Sequence, residues 1–183
     1  MKHTRLPALL LVLTLLLPPL SGCSSAPPPD AREVLTAMTA AAGTLPAGRV
    51  YDRRAAPEGK GYLSDTLFSA LYGPAARGWL GSDEADADDG GTAMIPDAAV
   101  FLSEIPHPGE LAVLVCADSD SALSAAGLCR LRLDTLMNTW KDSEYAVWTD
   151  RAAVTVVDCC VLMAVVPDPD AVFAAARRAL RGR

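Results

Sequence analysis

The stretch AAVFLSEIPHPGELAVLVCA at residues 98–117 decides the fold of this chain. Two apolar runs within it, 98–102 and 111–117, are rich in the residue types that favour β-strands. The Pro-His-Pro-Gly sequence at 106–109 lies between them and is typical of a tight turn. Because a short connection joins antiparallel partners, this stretch predicts two neighbouring antiparallel strands.

The same arrangement recurs downstream, where residues 152–157 and 160–166 predict a second pair of strands. Each pair is followed by a helical pattern. After the first pair, Asp118, Ser119 or Asp120 caps a helix that runs to about Lys141. Its apolar face comprises Ala126, Cys129, Leu133, Leu136 and Trp140. After the second pair, a last helix is capped by Asp168 and has Pro169 at its first position, where proline is favoured.

Two further helices are predicted upstream. Asp30 and Glu33 have the spacing of a capping box before a helix that ends at Gly43. Ser64 caps a second helix, and a short strand is expected near Val50. We therefore predict an α+β fold in the order α-α-β-β-α-β-β-α, with a mostly antiparallel sheet of about four strands and helices packed on one face.

The first 22 residues have the layout of a secretory signal peptide. Lys2 and Arg5 give a positive start, residues 6–17 are almost wholly apolar, and two prolines then break any helix. The apolar run is shorter than the roughly 20 residues that cross a bilayer core. We therefore expect residues 1–22 to be removed on export.

Leu20-Ser21-Gly22-Cys23, directly after this segment, resembles the lipobox of bacterial lipoproteins. The resemblance implies cleavage between Gly22 and Cys23 and attachment of lipid to the Cys23 thiol. Several acyl chains on one terminus give stable membrane anchoring, whereas a single chain binds reversibly. The expected location is the extracytoplasmic face of the cell membrane, or the outer membrane if the source has one, since Ser24 resembles that sorting choice.

The mature chain divides into a lipidated Cys23 with a proline-rich tether at 23–29 and a single domain at 30–183. Within this domain, residues 82–91 hold five acids and no large apolar side chain, which predicts an exposed loop. Without Lys2 and Arg5 the mature chain carries 14 basic and 22 acidic residues, a formal charge of −8. This balance argues against nucleic acid as a partner and leaves membrane attachment to the lipid.

Several short pieces, taken in order, carry a further resemblance: the lipobox, Leu71-Tyr72-Gly73, Glu110-Leu-Ala-Val-Leu, the long helix before Trp140 and Tyr145, and the segment from Val154 to Leu180. Over residues 31–180 the chain thereby resembles the bacterial lipoprotein family called domain-of-unknown-function 4358. The resemblance implies a small extracytoplasmic α+β domain and supplies no known activity, so no catalytic residue is carried over. The acidic loop and the four domain cysteines depart from the family pattern.

The four domain cysteines are Cys116, Cys129, Cys159 and Cys160. Export permits disulfides, and four cysteines allow three full pairings that sequence alone does not distinguish. A disulfide between Cys116 and Cys129 is one candidate. The alternative is that all four are buried thiols, since free cysteine is among the most buried residue types.

Few residues offer catalytic or metal chemistry. His107 is the one histidine of the mature chain, it lies between two prolines, and no serine has a nucleophile-elbow sequence. No Cys-x-x-Cys pair supports zinc or redox chemistry. Glu84, Asp86 and Asp88 alternate as calcium ligands do, but Asp89 and Ile95 occupy the positions where an EF-hand has glycine and glutamate.

The sequence thus favours a lipid-anchored, non-enzymatic envelope module without a cofactor, whose partner is an envelope protein or a cell-wall component. The alternative is a small-ligand or calcium-sensing lipoprotein. The two hypotheses differ in whether millimolar calcium raises the melting temperature through Asp86 and Asp88.

Overall fold

The computed structural model describes residues 28–81 and 93–182. Five strands form one antiparallel sheet in the order β1-β2-β3-β5-β4. The strands are β1 (Gly48–Asp52), β2 (Asp97–Ser103), β3 (Glu110–Val115), β4 (Ala153–Val157) and β5 (Cys160–Val165). The helices are α1 (Ala31–Ala41), α2 (Asp65–Tyr72), α3 (Ser119–Trp140), α4 (Ala146–Asp150) and α5 (Pro169–Arg181), with a short 3-10 helix at Pro74–Ala76.

The α+β class and the two predicted strand pairs are confirmed. The predicted order and strand number are slightly off, because the strand expected near Val50 joins the sheet as a fifth strand, β1, and α4 follows α3. The predicted caps are also present. Asp30, Ser64, Asp118 and Asp168 each accept a hydrogen bond from the backbone N–H three residues on.

Helices cover both faces of the sheet, so the prediction of helices on one face is wrong. One face of the central strands packs against α1 and α5, through Leu111, Val113, Leu162 and their neighbours. The alternate residues, including Ala112, Leu114 and Met163, pack against α2 and α3. Every residue of β3 and of β5 is buried, because side chains point alternately to two covered faces.

The register gives the sheet two distinct ends. At one end, the residues Asp97, Val115 and Cys160 lie side by side. We call it the tether end, because α1, the helix that follows the predicted tether at 23–29, begins there. Leu102, Glu110 and Val165 lie at the other, which we call the turn end because the 104–109 turn is there. Among the described residues, no helix is long and apolar enough to cross a membrane.

Candidate functional site

Two aromatic rings contact His107 in the turn between β2 and β3, and a third ring contacts one of them. The His107 ring lies 4.4 Å from the Tyr145 ring and 4.4 Å from the Trp148 ring, measured between centroids. Trp140, the last residue of α3, meets Tyr145 edge-on at 5.7 Å. The turn, the end of α3 and the start of α4 therefore converge at the turn end of the sheet.

Two exposed aliphatic residues lie close to this aromatic group in sequence. Ile105 is 49% exposed and lies two positions before His107, and Val147 is 48% exposed and lies directly before Trp148. We call these six residues the aromatic patch: Ile105, His107, Trp140, Tyr145, Val147 and Trp148. Exposed apolar groups beside half-buried tryptophan and tyrosine are typical of recognition surfaces.

The His107 side chain is fixed by its own turn. Its Nδ1 accepts a hydrogen bond from the Gly109 N–H at 2.9 Å, so the neutral ring carries its proton on Nε2. Position 109 leaves little room for a larger residue, because a Cβ there would lie 3.0 Å from His107 Nδ1 and 3.2 Å from the Pro46 ring. Partial burial lowers the pKa of His107 below its ordinary value. At neutral pH the ring is therefore an uncharged donor within the aromatic patch.

A buried ion pair lies at the same end of the sheet. Glu110, the first residue of β3, receives hydrogen bonds from Arg132 of α3: Nε donates at 3.1 Å and Nη2 at 2.8 Å, both to Oε2. The Tyr72 hydroxyl donates to Glu110 Oε1 at 3.4 Å. The side chain of Glu110 is 3% exposed and that of Arg132 is 20% exposed. This arrangement ties α2 and α3 to the edge of the sheet.

Burial raises the pKa of Glu110, and the neighbouring Arg132 and Tyr72 oppose that rise. Burial, together with the Glu110 charge, also raises the pKa of Tyr72 well above its ordinary value. Tyr72 therefore stays a neutral donor. Both carboxylate oxygens of Glu110 are occupied within the domain, which makes this group a structural one.

A second polar network holds the start of α1 at the tether end. Asp97 Oδ2 accepts a hydrogen bond from the Ala31 N–H at 2.9 Å and pairs with Arg54 Nη2 at 2.9 Å. Arg54 also pairs with Asp30, and its backbone N–H donates to Asp52. Burial raises the pKa of Asp97. These contacts hold the start of α1 against the sheet.

Cys116 and Cys129 are buried free thiols, so the candidate disulfide between them is not formed in the structure. Both side chains belong to the apolar core beneath α3. Burial raises the pKa of Cys116 to about 12, and it raises that of Cys129 further. Buried thiols of this kind behave as small apolar side chains.

The other predicted site residues lie outside the described residues. These are Gly22 and Cys23 of the lipobox and Glu84, Asp86 and Asp88 of the acidic loop. Within residues 28–81 and 93–182, no group of three or more His, Cys, Asp or Glu side chains could hold a metal ion. In the same residues, no carboxylate or thiol is hydrogen-bonded to His107.

Sequence reasoning missed the aromatic patch. His107 was treated as an isolated turn histidine, and Tyr145 and Trp148 follow it by 38 and 41 positions. The available indication was the density of aromatic residues at 140–148, just after a long amphipathic helix. What the patch offers is a contact surface: flat rings, two aliphatic side chains, three ring N–H groups (His107, Trp140 and Trp148) and the Tyr145 hydroxyl.

No family model, no curated protein and no solved structure matches this chain.

Proposed function

We propose that this chain is a lipid-anchored extracytoplasmic module without enzymatic activity, and that it binds an envelope protein through the aromatic patch. Anchoring is proposed on Cys23, after cleavage of residues 1–22. The observation that carries the binding proposal is the position of the patch. It lies at the turn end of the sheet, whereas the tether joins the domain at the opposite end.

This placement suits a tethered binding module. β3 has six residues, so the two ends of the sheet are separated by about 20 Å at 3.3 Å per residue. A domain held through α1 would present the patch away from its point of attachment. Tryptophan and tyrosine dominate the binding energy of protein interfaces, and the exposed Ile105 and Val147 extend the apolar contact.

A protein partner fits this surface better than a glycan does. The patch contributes mainly ring faces and aliphatic groups, and its side-chain polar atoms are three ring N–H groups, one ring nitrogen already bonded to Gly109, and the Tyr145 hydroxyl. The formal charge of −8 on the mature chain also disfavours anionic cell-wall polymers.

The test places a photocrosslinking amino acid at Ile105 or Val147 in the full precursor, expressed in its own cells. We expect one partner protein to be crosslinked from both positions, and to be lost in the Cys23→Ala precursor that is not anchored. The matched control is the same crosslinker at Leu123, which is 64% exposed on α3 and lies outside the patch.

With the crosslinker at position 147, Ile105→Asp should abolish the crosslink to the partner. With the crosslinker at position 105, Val147→Asp should do the same. Leu123→Asp should leave both crosslinks intact. Crosslinks that are equal at Leu123 and in the patch contradict the proposed binding surface. A melting temperature that rises with millimolar calcium, and no longer rises when Asp86 and Asp88 are changed to Asn, would instead support the calcium-sensing alternative.

A further inference from the structure

Three arginines at the end of α5 form a basic surface close to the tether. Arg178 and Arg181 are exposed, and Arg177 is partly exposed. None of the three is in an ion pair within residues 28–81 and 93–182. Cations are favoured at a helix C-terminus, which explains why three arginines are accommodated at the end of α5. This effect does not supply them with carboxylate partners.

The direction of α5 brings these arginines to the tether end. α5 begins at Pro169, just after β5 leaves the turn end at Val165. Its 13 residues span about 20 Å, nearly the length of the sheet. α5 packs beside α1 on the same face, through Val172, Phe173 and Ala176. Its C-terminus therefore lies at the end where α1 begins, about 10 Å away across the helix pair.

The tether limits how far this end can be from a membrane. Seven residue steps separate Cys23 from Asp30, and a fully extended chain of that length spans no more than about 25 Å. If Cys23 carries lipid, the start of α1 and the end of α5 are the parts of the described domain closest to the headgroups.

Charge is divided unequally between the two helical layers. The layer of α1 and α5 exposes four arginines, Arg32, Arg177, Arg178 and Arg181, against two exposed acids within these helices, Glu33 and Asp170. On the opposite face, α3 begins with the exposed residues Asp118 and Asp120. Exposed arginines therefore outnumber exposed acids within the helices of the α1 and α5 layer.

We propose that Arg177, Arg178 and Arg181 form a membrane-facing surface that binds anionic phospholipid headgroups and orients the anchored domain. The inference rests on the proposed lipid anchor at Cys23. Contact with anionic lipid holds the tether end, with the C-terminus of α5, towards the membrane. The aromatic patch, at the opposite end of the sheet, is then held outward in a fixed direction.

The test uses the full lipidated chain in vesicles of phosphatidylcholine alone, or of phosphatidylcholine and phosphatidylglycerol in equal parts. A fluorescent amino acid replaces Gly182 in one protein and Ile105 in another, and energy transfer to a headgroup acceptor reports the distance to the membrane. We expect emission from position 182 to be about two-fold lower on the anionic vesicles, and the difference to vanish near 1 M salt, where the screening length is about 3 Å. Emission from position 105 should not fall.

The variant that tests the surface combines Arg177→Gln, Arg178→Gln and Arg181→Gln. Its matched control removes the same charge elsewhere, as Arg130→Gln, Lys141→Gln and Arg151→Gln, all exposed residues outside α5. The first variant should lose the lipid-dependent difference, and the control should keep it.

Equal emission on both vesicle types from a chain that is lipidated and anchored overturns the inference alone. A precursor in which mass spectrometry finds no lipid on Cys23 overturns the inference and the proposed anchoring together. A control variant that loses the difference as fully as the arginine variant also overturns the inference, because the effect then follows net charge and not this surface.

Discussion

Arg132 and Glu110 lie 22 positions apart in sequence and form a charge-assisted pair with N–O distances of 3.1 and 2.8 Å. The pair links the middle of α3 to the first residue of β3, at the end of the sheet that carries the aromatic patch. The Glu110 side chain is only 3% exposed, as is that of Asp97 in its pair with Arg54.

Removal of the arginine should destabilise the domain strongly. In Arg132→Met the Glu110 carboxylate stays buried without its cation, which costs about 3–5 kcal/mol in the free energy of unfolding. Urea denaturation measures the change, and Arg130→Met, on the exposed face of the same helix, is the control. The double variant Glu110→Leu, Arg132→Met should lose less than the sum of the two single variants.

The pH dependence of the Arg132→Met variant has a definite sign. Burial raises the pKa of Glu110 in the folded state above its ordinary value, and loss of Arg132 raises it further. The folded state then binds the proton more tightly than the unfolded state does. The loss in free energy of unfolding caused by Arg132→Met should therefore shrink as the pH falls through the folded-state pKa of Glu110 towards its ordinary range. A loss that grows over this interval contradicts a buried, unpaired carboxylate.

His107 should titrate below its ordinary pKa of 6.5, because partial burial disfavours its charged form. Residues 30–183 hold no other histidine, so one imidazole resonance in an NMR titration of this domain reports the value. The His107 contribution to stability is complete above pH 6.5 and is lost as the pH falls through the lowered pKa. A His107 pKa at or above 6.5 would contradict burial of this ring against Trp148 and Tyr145.

Cys116 and Cys129 should resist alkylation in the folded protein. Each is buried, and burial raises the pKa of Cys116 to about 12, which leaves little thiolate at neutral pH. Labelling with iodoacetamide and peptide mapping should modify these residues only at urea concentrations that unfold the domain. A peptide in which Cys116 is joined to Cys129 under non-reducing conditions would contradict the free thiols.

Gly127→Ala should stabilise the domain by about 1 kcal/mol, because glycine is a poor helix former and a Cβ at this position of α3 meets no atom within 4 Å. Gly48→Ala is the opposite case. A Cβ there would lie 2.5 Å from the Leu102 carbonyl oxygen of the neighbouring strand, so the variant should lose about 1–3 kcal/mol. Thermal unfolding of both variants measures the two changes. Equal effects of the two substitutions would contradict the packing of β1 against β2.

Local structure could be read from the sequence. The sequence predicted Asp30, Ser64 and Asp168 as helix caps, and it placed the cap of α3 at Asp118, Ser119 or Asp120, because a cap depends on residues only three positions apart. The strand pairs around 98–117 and 152–166 were identified because apolar runs and turn residues are local features. The prediction placed helices on one face of the sheet, although a continuous apolar run such as that of β3 is typical of a strand covered on both faces.

The sequence by itself therefore determined the α+β class, the helix caps and the strand pairs of this protein, since short-range chemistry specifies them. Only the tertiary structure decided that α1 and α5 cover one face while α2 and α3 cover the other. It also decided that Arg132 meets Glu110 and that Trp148 meets His107. The physical reason is that such contacts join residues 22 to 41 positions apart, and their meeting depends on strand register and helix direction across the whole sheet.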